Sequence, residues 1–186
     1  MTDKVLVTGG GGFIGSHLVD ELIKKGIDVV VLDNFSSGKY ENLNQHIDKS
    51  NFRLVKGDVK GKNDVKKALE GVSIVFHLAA VVSVDLSIKK PHYVNEVNVD
   101  GTLNVLSESV KTSVKKLVYV SSCAVYGSPI RLPIDEGHPT KPLSPYGVSK
   151  LAAEQYCRVF YEVYGLETIC LRLFNVYGPR QVSGPY

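Results

Sequence analysis

Val5-Leu6-Val7-Thr8-Gly9-Gly10-Gly11-Gly12-Phe13-Ile14-Gly15 runs a short β-branched segment into a glycine cluster and then into apolar residues at helical spacing. Such a stretch builds a strand, a tight turn and a helix start. Gly9, Gly12 and Gly15 fall at a GxxGxxG spacing. One can allow the turn, one can let backbone approach a pyrophosphate, and one can let the helix lie close on the sheet. The helix start offers free N–H groups and a positive dipole end to phosphate oxygens. No Lys-Ser/Thr pair follows the glycines, which excludes a P-loop.

Working outward, short β-branched runs alternate with helical patterns. After Val5 to Val7, strands are predicted at Val29 to Leu32 (ending at Asp33), Phe52 to Val55, Ser73 to Leu78, Lys116 to Val120 and Glu167 to Leu173. Helical spacing covers Phe13 to Lys25, with Gly26 as its stop, then Asn63 to Glu70, Tyr93 to Lys111 behind Pro91, and Ser144 to Tyr164. Residues 34–50 read as loop with a helical turn, and 128–145 as a Pro/Gly-rich loop. The alternation predicts one α/β domain over 1–186, a Rossmann-like, doubly wound parallel sheet with helices on both faces. All the strands read as continuous apolar runs, as strands covered on both faces do.

Composition narrows the function. The chain has 186 residues, 44% hydrophobic and 22% charged, enough for one sizeable core. Its net charge of +3 is scattered, without a basic stripe interleaved with aromatics, so nucleic acid is not an expected partner. The apolar runs are strand-sized, which argues against a membrane span, and the N-terminus leads into a strand rather than a signal peptide. Cys123, Cys157 and Cys170 are odd in number and widely spaced, which fits a reducing cytoplasm without disulfides. No His/Cys cluster has metal-ligand spacing, so no metal is expected.

Three further features carry chemistry. Asp33 ends the second strand, where a carboxylate can accept from both adenosine ribose hydroxyls and repel a 2′-phosphate. With no arginine following it, NAD is favoured over NADP. Asp58, after the third strand, either reaches an adenine amino group or caps nearby N–H groups. His77-Leu78-Ala79-Ala80 closes the fourth strand with small residues that let a dinucleotide lie near the sheet, while His77 reads as packed rather than catalytic. Finally, Tyr146 and Lys150 stand four apart on one helical face. A free tyrosine titrates near about 10, and a neighbouring ammonium favours its phenolate. With Ser122 at the end of the fifth strand, the set predicts a nicotinamide site with a Ser–Tyr–Lys proton relay.

Read together, these segments resemble the extended short-chain dehydrogenase/reductase family, and within it the NAD-dependent epimerases and dehydratases of nucleotide sugars, UDP-glucose 4-epimerase above all. The resemblance rests on Thr8 to Gly15, Asp33 to Gly38, Gly57-Asp58-Val59, His77 to Ala80, Asn98 to Thr102, Ser121 to Gly127, Ser144 to Lys150 and Arg172 to Arg180. It implies cofactor contacts from Gly9, Gly12, Phe13, Ile14 and Gly15, and from Asp33, Asn34, Ser37 and Gly38. Asp58, Val59, Leu78, Ala79 and Ala80 follow, with Asn98, Tyr146 and Lys150 completing the cofactor set. Tyr146 is implied as general base and acid, Lys150 as the group that lowers its pKa and holds the nicotinamide ribose, and Ser122 as a partner of the sugar 4-hydroxyl. Asn98 is implied to support the site from within, and Asn175 either binds substrate near its phosphates or shapes its loop.

The same resemblance selects a reaction. The family's dehydratases carry an Asp-Glu pair directly after the catalytic Ser/Thr, where this chain has Cys123 and Ala124. Neither can move protons in that way, so 4-epimerisation of a UDP-hexose through a 4-keto sugar is expected, ahead of decarboxylation. A cytoplasmic homodimer built on the YxxxK helix and the helix before it is also implied, with Leu103, Leu106, Val159 and Phe160 facing either a partner or the sheet. Family members continue into a smaller C-terminal substrate lobe, whereas this sequence stops at Tyr186. The expectation is therefore a chain that binds NAD(H) but turns over UDP-sugars poorly.

Overall fold

The computed structural model describes residues 4–181. Six parallel strands form one sheet: β1 (Lys4–Thr8), β2 (Asp28–Asp33), β3 (Phe52–Lys56), β4 (Ile74–His77), β5 (Lys116–Ser122) and β6 (Glu167–Leu173), in the order β3-β2-β1-β4-β5-β6. The chain starts at the centre, winds outward to β3, then returns to the other side of β1. Thr8 therefore aligns with Leu32 on one side and His77 on the other. This is the switch point of a doubly wound sheet, where ligands bind beyond the carboxyl ends of the strands.

Alternation within the strands divides the core. Leu6, Val30, Leu32, Val75, Leu117 and Tyr119 point to the face covered by α2 (Lys62–Ala68), α5 (Gly101–Lys111) and α6 (Pro145–Tyr164). Val5, Val7, Val29 and Val31 meet α1 (Phe13–Lys24) through Val19, Leu22 and Ile23. Burying each such side chain is worth about 1.5–3 kcal/mol. Leu106 and Phe160 belong to this core and face the sheet.

β6 departs from the expectation of strands covered on both faces. Ile169 and Leu171 are 45% and 42% exposed, alternating with half-buried neighbours, because no helix among the described residues covers that side of the edge strand.

The helices carry local signals for their ends. Ser144 accepts from the Gly147 N–H at 3.1 Å, Pro145 occupies the first turn of α6, and Gly165 ends it at φ 71°. Two elements were not foreseen. A short helix α3 (Val84–Lys89) is capped by Ser83, which accepts from Leu86 N at 3.1 Å. The helix expected over 93–111 starts instead as α4 (Pro91–Asn95) and reaches α5 through a π-helical turn, Glu96–Asp100. Such turns often serve functional sites, and this one carries Asn98. No helix of the described residues is long and apolar enough to cross a membrane.

Candidate active site

The glycine turn leaves the end of β1 and is fixed by its neighbours. Gly9 has φ 71°, and a Cβ there would lie 2.8 Å from the Ala79 backbone nitrogen. A Cβ on Gly15 would collide with the Gly9 carbonyl oxygen. The turn and α1 can therefore touch only if these positions lack side chains. Gly12 caps α1 without a side-chain hydrogen bond, and no acidic residue stands in the first turn. Phe13 and Ile14 occupy that turn, whose N–H groups an anion can use.

Asp33 closes the cradle from β2. Its carboxylate accepts from Gly11 N and Phe35 N, both at 2.8 Å, and the residue is 7% exposed. Each oxygen retains a lone pair for a ribose hydroxyl. Burial pushes its pKa above the ordinary carboxylate value, opposed by the two N–H bonds. The following loop is tied to the turn, with Lys39 N and Asn42 Nδ2 donating to the Gly11 carbonyl at 2.9 and 2.8 Å. Gly38 packs on Gly11, while Ser37 is exposed. Asn34 donates to Asp58 at 3.0 Å, so these two candidates share one rim of the site. Val59 beside them is buried against Gly101.

A buried relay supports the floor. Thr102 donates to the Asn98 carbonyl at 2.6 Å, so the His77 Nε2–H donates to Thr102 at 2.9 Å. His77 Nδ1 then accepts from Thr8 at 2.7 Å, and Thr8 accepts from the N–H groups of Leu78 and Ala79 at 3.2 and 3.1 Å. Ala80 continues the same half-buried segment. Burial, with the Lys150 charge second, lowers His77 to about 3. Its ring is neutral and wholly engaged in structure.

Asn98 spends its amide on protein. It accepts from Val81 N at 2.8 Å and donates to Val81 O and Ser149 Oγ, both at 3.0 Å. All its side-chain polar atoms are engaged within the protein, and it is 1% exposed. It acts through α6, because Ser149 donates to the Tyr146 carbonyl at 2.7 Å.

Ser122, Tyr146 and Lys150 come together beside the end of β5. Ser122 accepts from Ala124 N at 3.2 Å, leaving its own proton to donate. Burial raises the Tyr146 phenol, Ser122 hydrogen-bonds it and pulls it down, and Cys123 adds an upward push. Lys150 is not among the groups that shift this phenol. Lys150 is 3% exposed, and its Nζ sits 4.5 Å from the centre of the Tyr119 ring. Burial lowers the amine to about 8. Tyr119 was missed because its only sequence signal is its place in an apolar strand.

Asn175 is exposed, just past Leu173, the register partner of Ser122. The chain beyond it crosses to α1, where His17 Nε2 meets the Pro179 carbonyl at 2.9 Å and Arg180 pairs with Asp20 at 2.7 Å. The three cysteines are free, and no group of residues that could hold a metal occurs among the described residues.

Comparison with known proteins agrees with this geometry. Residues 5–185 match the NAD dependent epimerase/dehydratase family. A putative UDP-glucose 4-epimerase of Methanocaldococcus jannaschii is 46% identical over 95% of this chain and 57% of its own length. The structure of Thermotoga maritima UDP-glucose 4-epimerase with UDP-glucose is 40% identical, covers 96% of this chain and 58% of that one, and superposes with a TM-score of 0.90. A UDP-N-acetylglucosamine 4-epimerase from Methanobrevibacter ruminantium, in complex with UDP-N-acetylmuramic acid, is 43% identical over all of this chain and 60% of its own, with a TM-score of 0.92. The chain thus spans little more than half the length of the relatives it matches. It belongs to the NAD dependent epimerase/dehydratase family.

Proposed function

We propose that this chain forms the cofactor-binding and proton-transferring half of a nucleotide-sugar 4-epimerase that uses NAD and acts on a UDP-hexose. The observation that carries the reading is the Ser122 hydroxyl acting on the Tyr146 phenol, with Ser122 followed by Cys123 and Ala124 rather than by carboxylates.

The residues fit NAD. The glycine turn is bare where a Cβ would fill it, α1 begins without a capping side chain, and Asp33 keeps lone pairs for ribose hydroxyls. Its negative charge opposes a 2′-phosphate. When bound, NAD supplies a reversible hydride acceptor for the sugar C4–H. Tyr146 takes the 4-hydroxyl proton and later returns it, Ser122 orients that hydroxyl, and Lys150 holds the nicotinamide ribose. Asn175, exposed just past the register partner of Ser122, is a candidate for substrate binding or for shaping its loop. A carboxylic acid pair for removing water is missing at Cys123 and Ala124, which disfavours dehydration. Exposed Tyr156 and Val163, seven apart on one face of α6, offer a surface for a homodimer, and the free cysteines fit a cytoplasmic setting.

The test loads the chain with NAD, adds UDP-glucose, and follows reduced-nicotinamide absorbance together with UDP-galactose by NMR. Substrate-dependent reduction that disappears in Tyr146→Phe supports the reading. NAD binding with no response to any UDP-hexose leaves a binding module and defeats the catalytic assignment.

A further inference from the structure

The charge on Lys150 has little to hold it in its immediate surroundings. Its Nζ faces the Tyr119 ring of β5. His77 of β4 is neutral, and the Cys157 thiol of α6 is pushed up by its hydrogen bond to Cys170 of β6 and by burial. Cys157, Glu154 and Cys170 each favour its charged form, and Glu154, the carboxylate among them, stands four residues further along the same face of α6. Glu154 is 6% exposed, a depth at which a carboxylate needs a cation. Arg172 of β6 supplies one, with Nε at 3.0 and 3.2 Å from the two oxygens and Nη2 at 2.8 Å. Arg172 is fixed in turn, 4.9 Å over the Tyr126 ring and in register with Ser121. The bidentate pair therefore pins α6 to the strand next to Ser122 and sets a negative charge one turn beyond Lys150.

We propose that Glu154, clamped by Arg172, is a positioning residue for Lys150, keeping it charged in a pocket whose burial favours the neutral amine. The proposal rests on reading Lys150 as the cation that holds the cofactor ribose beside Tyr146, since a neutral amine would not attract an anionic ligand.

NMR of isotope-labelled lysine, with Lys150 assigned through Lys150→Met, reads its ionisation directly in the folded chain. The wild-type midpoint is expected at about 8, lowered by burial. Glu154→Gln keeps the shape and an oxygen for Arg172 but removes the charge. It is expected to lower the midpoint by roughly one pH unit, about a tenfold smaller protonated fraction above it, with Glu154→Asp recovering most of the shift. A purely structural Glu154 would change thermal stability and leave the Lys150 midpoint where it was, and that result overturns the proposal. If Glu154→Gln fails to fold, the apolar pair Glu154→Met with Arg172→Met serves instead. The midpoint is again expected to fall, because the Glu154 carboxylate favours the charged amine. An unchanged midpoint is again fatal. NADH titration of the wild-type chain separates the two readings: no binding removes the ribose-holding role whatever the Lys150 midpoint does.

Discussion

Asn98 reaches from the π-helical turn to donate to the Ser149 hydroxyl at 3.0 Å, and Ser149 passes the connection to the Tyr146 carbonyl. One amide thus couples the loop after β4 to the helix that carries the proposed base. Asn98→Ala would strand the Val81 N–H and carbonyl in a half-buried position. The expected cost is about 2–4 kcal/mol in urea unfolding, with weaker NADH binding in the folded fraction. An Asn98→Ala chain as stable as wild type would show the amide to be dispensable.

Gly15→Ala tests the contact between α1 and the turn. The added Cβ meets the Gly9 carbonyl oxygen, a backbone atom that cannot swing away. Loss of about 1–3 kcal/mol is expected, together with at least a roughly tenfold loss of NADH affinity by fluorescence titration, since the displaced turn is the phosphate cradle. Retained affinity would place the pyrophosphate elsewhere.

Lys150→Met is expected to stabilise the chain at neutral pH. The amine is about 8 when folded against an ordinary 10.5, so between these values the unfolded chain holds more protons and stability rises with pH. Below pH 8 the cost of burying the charge is present in full, about 3 kcal/mol. Urea midpoints should favour Lys150→Met at pH 7 and converge with wild type near pH 10.5. Equal stability at pH 7 would mean that the ammonium is better solvated than its burial implies.

His77 predicts acid lability. It is about 3 when folded and ordinarily 6.5, so as pH falls through that window the unfolded chain takes the proton first and stability is lost. The slope approaches about 1.4 kcal/mol per pH unit. It should flatten in His77→Gln, measured by denaturant unfolding between pH 7 and pH 4.5.

Much of this arrangement was legible in the residues. β-branched runs, glycines and the YxxxK spacing are local signals, and the strands, the turn and Tyr146 with Lys150 lie where those signals put them. What escaped depends on contacts far apart in sequence. The π turn at Asn98 has no periodic signature, and α3 is too short to show one. The Tyr119 ring meets Lys150 only because β5 runs beneath α6. Glu154 continues the Tyr146–Lys150 face by another four residues, a spacing visible in advance, but its partner Arg172 becomes apparent only when β6 pairs with β5. The upward shift of the Tyr146 phenol likewise follows from burial, which a spacing cannot report.

Calorimetric titration of the folded chain with NAD and with NADP tests the central claim most directly. Asp33 and the bare glycine turn predict single-site binding of NAD, at least about tenfold tighter than NADP because a 2′-phosphate would meet the Asp33 carboxylate. Failure of the folded chain to bind NAD, or NADP binding as tight or tighter, would contradict the account.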